Sequence, residues 1–219
     1  MAVRPFSFLT SPCALITDFY LSVVIAGTIG EAVTLSHAEK AQLVKTTREI
    51  ASANGRPDLP ITLGCGGYTT AQVIAETRVA AESGADFALV LVPSYFHFAM
   101  DQEAIGTFFE ELADSSPVPI VIYNFPGVVA GLDVNSEMLS RLGKHENIVA
   151  VKLTCGGIAK VARVRAEFEP EQFAALAGQS DWLVPALSVG STGVITGVAN
   201  LFPKVSSNHR IPHFLGPFH

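Results

Sequence analysis

Residues 148–154 read IVAVKLT, a β-run that carries one lysine, Lys152. Alternation along a strand sets Val149, Val151 and Leu153 on one face and Ile148, Ala150 and Lys152 on the other. A run this apolar on both faces belongs to a parallel strand covered on both sides. The Lys152 ammonium would then be poorly hydrated. Burial disfavours the charged form and draws a lysine down from ~10.4 toward roughly 7 to 8, where the free amine attacks carbonyls. A strand-end lysine that buries its stem and keeps its head in water also fits these residues taken alone.

The pattern of strand then helix repeats on either side. Upstream β-runs lie at 21–27, 61–64, 87–92 and 119–124, and downstream ones at 173–178 and 193–198. Between them the periodicity predicts helices over about 36–53, 69–84, 101–114, 135–143, 157–167 and 180–189. Ser36 with Glu39, and Thr69 with Gln72, have capping-box spacing at two of these starts. Strands that alternate with helices imply parallel pairing through right-handed crossovers. Each β-run ends in Gly, Pro or a polar residue before its helix, so the fold class predicted is an α/β (β/α)8 TIM barrel rather than an open sheet. There is no G-x-G-x-x-G with a downstream acid and no phosphate-binding loop, and GCGG at 64–67 reads as a plain βα turn.

The barrel domain is expected over 21–203, and it is expected to be incomplete. Residues 1–20 form an atypical segment whose apolar run, Cys13–Ile16, lies too close to the next strand for a crossover of a dozen or more residues. A first βα unit is therefore not found. Residues 204–219, KVSSNHRIPHFLGPFH, have no helical period and read as a disordered tail. His209, His213 and His219 sit in that tail without acids nearby, so no metal site is assigned to them.

Net charge of −6 and a pI near 5.5 argue against nucleic acid or an anionic membrane as partner. The longest uncharged run, 182–203, is broken by Pro185 and several glycines and does not read as a membrane span. Cys13, Cys65 and Cys155 make neither a disulfide framework nor a zinc pattern, which suits a reducing compartment. The expected location is cytoplasmic. A mitochondrial one stays open, because the start carries Arg4 and no acid before Asp18.

Catalytic groups of such barrels stand at the C-terminal ends of the strands. Those ends carry Thr28, Tyr95, Tyr123, Lys152 and Gly178. Val24, Ala26 and Thr28 share one strand face, as do Val121 and Tyr123, so inward faces would bring a hydroxyl, a phenol and an amine together. Each has a plainer role by itself: a turn threonine, a surface aromatic, a core phenol.

GTIGE at 27–31, YNFPG at 123–127, VAVKLT at 149–154 and AGQSDWLVPALSVGSTGVITGVAN at 177–200 resemble the dihydrodipicolinate synthase / N-acetylneuraminate lyase family, in order and spacing. The resemblance runs from about residue 21 to 203. It implies a Schiff-base lyase or synthase for 2-oxo acids of the pyruvate type, with no cofactor, assembled as a homo-oligomer, usually a tetramer. Members are longer, with a first βα unit and further C-terminal helices that are not found in this sequence.

By position, the resemblance makes Lys152 the imine-forming lysine, Tyr123 the proton-shuttling phenol and Thr28 its hydrogen-bond partner. Backbone N–H groups around Thr28 and Ile29 would hold the substrate carboxylate. Tyr95 matches a tyrosine placed across a dimer interface, and Gly178 and Ile195 match pocket-lining positions. Two departures bear on the reaction. Ile29 replaces a threonine, and Val128 stands where the synthases place an arginine that pairs with a second carboxylate. The expected activity is therefore a class I aldolase that cleaves a 4-hydroxy-2-oxo acid, or a 2-keto-3-deoxy sugar acid, to pyruvate and an aldehyde. The alternatives are 4-hydroxy-tetrahydrodipicolinate synthase and a non-catalytic fragment of such an enzyme.

Overall fold

A computed structural model describes residues 22–202. Seven strands form one parallel sheet in chain order: β1 (Val23–Ile25), β2 (Ile61–Cys65), β3 (Phe87–Leu91), β4 (Ile120–Asn124), β5 (Ile148–Leu153), β6 (Ala174–Ala177) and β7 (Gly193–Val194). Six α-helices alternate with them: α1 (His37–Ala53), α2 (Thr70–Ser83), α3 (Gln102–Ser115), α4 (Ser136–Leu142), α5 (Ile158–Glu167) and α6 (Leu183–Ser188). The expectations for residues 1–20 and 204–219, on the first βα unit and the tail histidines among them, lie outside the described residues.

Sequential order with crossovers of one hand puts the helices on one face of the sheet. The other face has only itself to pack against, so the sheet curls. Val24 of β1, Leu89 of β3, Tyr123 of β4, Ala150 of β5, Leu176 of β6 and Ile195 just past β7 meet in one inner cluster. The larger outer core lies between sheet and helices, with Phe109, Leu112 and Phe173 fully buried in it. Among the described residues no strand fills the sector between β1 and β7. The lips of that sector still approach at the mouth: a Cβ on Gly197 would come within 2.3 Å of the Ile29 Cδ1.

Local signals behave as read. Ser36 accepts from the Glu39 N–H and Thr69 from the Gln72 N–H, each returned by the partner side chain, so both capping boxes are complete. Gly84 ends α2 with φ of 93°, a conformation that suits glycine.

Three expectations on facing and length are corrected. The β4–β5 register shifts between Ile120 and Val121, so Ile120 pairs with Ile148 but Val121 with Ala150. The extra residue inverts the start of β5, sending Ile148 into the outer core and Val149 against the inner cluster. From Ala150 onward the expected alternation holds. Ala26 does not continue the face of Val24 either: its φ of 52° breaks the alternation, and it packs in the outer core. Finally, 193–198 is not one strand, because Thr196 caps a 3-10 turn over Gly197–Asn200.

One buried ion pair ties α1 to α2. Lys40 is 5% exposed and Glu76 4%, with Nζ 2.8 Å from Oε1. The other carboxylate oxygen accepts the Gly66 N–H at 2.7 Å, which fixes the turn after β2. Removing one partner strands a buried charge, whereas removing both need not. Glu76→Ala is expected to cost ~3–5 kcal/mol in urea unfolding, with most of the loss recovered in Lys40→Met/Glu76→Leu.

Candidate active site

The register of two neighbouring strands builds the centre of the site. Tyr123 and Lys152 are paired positions on β4 and β5, and both point to the inner face. The Lys152 Nζ stands 3.9 Å from the centroid of the Tyr123 ring. Lys152 is 6% exposed, and among the described residues no carboxylate pairs with it. With water excluded and no anion to compensate, burial lowers its pKa to about 7. A large fraction of the amine is therefore neutral near pH 7.

Tyr123 is 4% exposed, and its hydroxyl lies 3.2 Å from the Thr28 Oγ1. Burial raises the phenol pKa, and hydrogen bonding from Thr28 and Thr154 opposes that rise only in part. The phenol stays protonated at neutral pH. It can pass a proton only while giving up its own, as a relay rather than a resident base.

Thr154 was not singled out from the sequence. It is buried and close enough to the phenol to influence its acidity, yet its hydroxyl completes no hydrogen bond of normal geometry. The signal was available, since residue i+2 on a strand shares the face of Lys152. Gly178 makes room for it: a Cβ there would fall 1.9 Å from the Thr154 Oγ1 and 2.8 Å from the Leu153 carbonyl oxygen.

The turn after β1 leaves a run of backbone N–H groups unpaired among the described residues. The Glu31 and Ala32 N–H groups close back on the carbonyls of Thr28 and Gly27, while the N–H groups of Thr28, Ile29 and Gly30 have no acceptor among the described residues. Ala26 (φ 52°) and Glu31 (φ 54°) flank this run in the left-handed region. Successive free amides of this kind favour a carboxylate. On the β4 side, the fully buried Asn124 donates to Asp133 and accepts from the Val134 N–H, pinning the loop that follows Tyr123. Lys160 at the start of α5 pairs with the same Asp133.

A cleft of about 400 Å³ opens beside the phenol, walled by Thr28, Leu91, Tyr123, Val128 and Val129, with the Lys40–Glu76 pair also lining it. Lys152 does not line this cleft; Tyr123, whose ring it overhangs, does. The other sequence candidates scatter around the centre. Ile195 is buried in the inner cluster with Tyr123, and Gly178 lies half-buried against Thr154. Ile29 is 67% exposed at the rim beside Gly197. Tyr95 is exposed and in edge contact with Tyr68 and Phe96. Among the described residues there is no cluster of three potential metal ligands, and no helix is long and apolar enough to cross a membrane.

Comparison with known proteins adds the following. The model of the dihydrodipicolinate synthetase family matches residues 15–209. A Coccidioides immitis protein with the provisional name 4-hydroxy-2-oxoglutarate aldolase, mitochondrial, is 44% identical over 186 residues, 84% of this chain and 58% of that one. An L-threo-3-deoxy-hexylosonate aldolase of Hypocrea jecorina is 37% identical over 190 residues, 84% of this chain and 60% of that one. A crystal structure from Coccidioides immitis, provisionally assigned to the dihydrodipicolinate synthase family, matches with a TM-score of 0.81 and 40% identity over 90% of this chain and 61% of that one. The chain thus spans between 58% and 60% of the length of these two curated relatives.

The buried amine has a measurable signature in stability. Unfolded, Lys152 holds its proton up to about pH 10.5, but folded only to about 7. Between those values the unfolded chain binds more protons, so this residue's destabilising effect is full below pH 7 and fades as pH rises through the window. Lys152→Met is expected to melt above the wild type below pH 7, with the gap closing toward pH 10.5. A gap independent of pH in thermal denaturation would contradict the burial.

Proposed function

The chain belongs to the dihydrodipicolinate synthetase family, and on that premise we propose that it is a Schiff-base-forming aldolase. It cleaves a 4-hydroxy-2-oxo acid or a 2-keto-3-deoxy sugar acid to pyruvate and an aldehyde. One observation carries the reading: an amine held near pKa 7 over a protonated phenol that is hydrogen-bonded to Thr28.

In this reading the Lys152 amine attacks the C2 carbonyl, and loss of water gives a protonated imine. The N–H groups of Thr28, Ile29 and Gly30 hold the C1 carboxylate meanwhile. The imine nitrogen receives the electron pair of the C3–C4 bond as it breaks. The C4 hydroxyl proton passes to Tyr123, which hands its own through the Thr28 hydroxyl to solvent in the same relay, and C4 leaves as an aldehyde. The enamine then takes a proton at C3, and water frees pyruvate and the amine. The iminium is the electron sink, so the chemistry requires no metal or organic cofactor.

A synthase reading fits less well, because Val128 offers a second substrate carboxylate no charge. The exposed aromatics Tyr68, Tyr95, Phe96 and Phe98 make a continuous edge-on string, which we read as the contact of a homo-oligomer. Cysteine usage suits a reducing compartment, cytoplasmic or mitochondrial. The names of relatives from Coccidioides immitis and Emericella nidulans favour the second.

Borohydride added to the full chain with pyruvate is expected to leave a reduced adduct on Lys152 in peptide mass spectra, forming faster as pH rises through about 7. A folded chain that yields no adduct is the non-catalytic alternative. Tyr123→Phe is expected to lower turnover by roughly 10²–10⁴-fold.

A further inference from the structure

Resting on the aldolase reading above, we propose that Asp133 and Lys160 are positioning residues for carbon–carbon cleavage, a latch that holds the loop after β4 against Tyr123. The loop, residues 125–132, bonds to itself. The Val128 N–H donates to the Phe125 carbonyl at 3.1 Å and the Gly131 N–H to the Pro126 carbonyl at 2.9 Å. Ala130 and Gly131 turn it with φ of 56° and 83°. A loop knit in this way moves as a body, so what grips its ends sets its place. Its place matters to the phenol twice over. The Phe125 ring lies 5.8 Å from the Tyr123 ring, tilted by 32°, and Val128 and Val129 line the cleft beside Tyr123.

At its entry the loop continues β4, and at its exit Asp133 is gripped from three sides. The buried Asn124 side-chain amide donates to the Asp133 Oδ1 at 2.8 Å. The Gln102 Nε2 of α3 donates to the Asp133 carbonyl at 2.9 Å. The Lys160 ammonium of α5 pairs with the same Oδ1 as Asn124. Among the described residues, this pair is the one side-chain hydrogen bond or ion pair between residues 125–133 and residues 154–160. It therefore ties the segment after Tyr123 to the segment after Lys152. Without the ammonium, water competes for the half-exposed carboxylate, and the Asn124 amide loses a fixed acceptor.

The two steps of the reaction depend on this latch unequally. Lys152 is placed by the pairing of β5 with β4 and β6, so its attack on a ketone needs only the sheet. Cleavage also needs the C4 oxygen in line with the phenol, and a displacement on the order of 1 Å there is costly.

The test uses the full chain, with pyruvate and borohydride to read the imine. Pyruvate release from 4-hydroxy-2-oxoglutarate and 2-keto-3-deoxygluconate reads cleavage. Lys160→Met, and Asp133→Asn, which keeps an acceptor for Asn124, are each expected to lower kcat for cleavage by roughly 10- to 100-fold. Adduct formation should stay within about threefold of wild type in both, and the melting temperature within about 3 °C, because the pair is partly solvated. Lys160→Arg keeps the cation and should hold kcat within about threefold of wild type. The double variant Lys160→Met/Asp133→Asn should be no slower than either single one, since one interaction is lost once.

Equal losses in adduct formation and cleavage mean a merely structural role and overturn the inference. Single variants with wild-type kcat, or losses that multiply in the double variant, overturn it as well. So does a wild-type chain that forms the adduct but cleaves neither acid. A wild-type chain that forms no adduct defeats the underlying aldolase reading instead, so the two failures are told apart.

Discussion

An amine kept out of water, with no anion to answer its charge, is the constraint from which the site follows. Lys152 could be stabilised as an ammonium by one carboxylate nearby, and its nucleophilicity would then be lost. β5 instead places it over the Tyr123 ring and in register with Leu176 of β6. The cost is carried by the outer core, where Phe109, Leu112 and Phe173 pack at zero or near-zero exposure. Each pKa unit of depression corresponds to about 1.4 kcal/mol, so such a centre needs a rigid and well-packed support.

The curl of the sheet meets the same need. A parallel sheet with its helices on one side must cover its bare face with its own side chains, and that face is where strand ends converge. Tyr123 and Lys152 are neighbours because β4 and β5 are neighbours, while Thr28 arrives from β1 across the mouth. The polar groups differ in how they are answered. Lys40, Lys160 and Arg141 have carboxylate partners, whereas Lys152 and the Thr154 hydroxyl are left open. The charges between helices are neutralised, whereas these two groups are buried without a partner among the described residues.

The alternation of strands with helices and both capping boxes could be read from the sequence because they depend on residues a few positions apart. Thr28, Tyr123 and Lys152 could be read because each sits at the end of an apolar run. What could not be read depends on pairing between distant segments. The β4–β5 shift that turned Ile148 outward is a property of two strands together, and single-strand parity does not see it. The left-handed Ala26 is similar, since alanine gives no warning of a positive φ. Lys40 and Glu76 are separated by 36 residues, and nothing in the local sequence of either helix signals that they pair. Thr154 shares the parity of Lys152, but a threonine closing an apolar run gives no local sign that it approaches the phenol of a neighbouring strand.

The left-handed residues on either side of the amide cradle have a consequence for how this protein could evolve or be engineered. Ala26 and Glu31 hold a backbone shape that side chains resist, at ~1–3 kcal/mol each, so the loop is set before any ligand arrives. Glycine at either place would relax that strain and make the fold more tolerant of heat. It would also give the loop freedom that a bound acid must then remove, weakening capture. On the proposed reading, thermal robustness and substrate affinity are thus opposed on the same two torsions, and selection for one draws on the other.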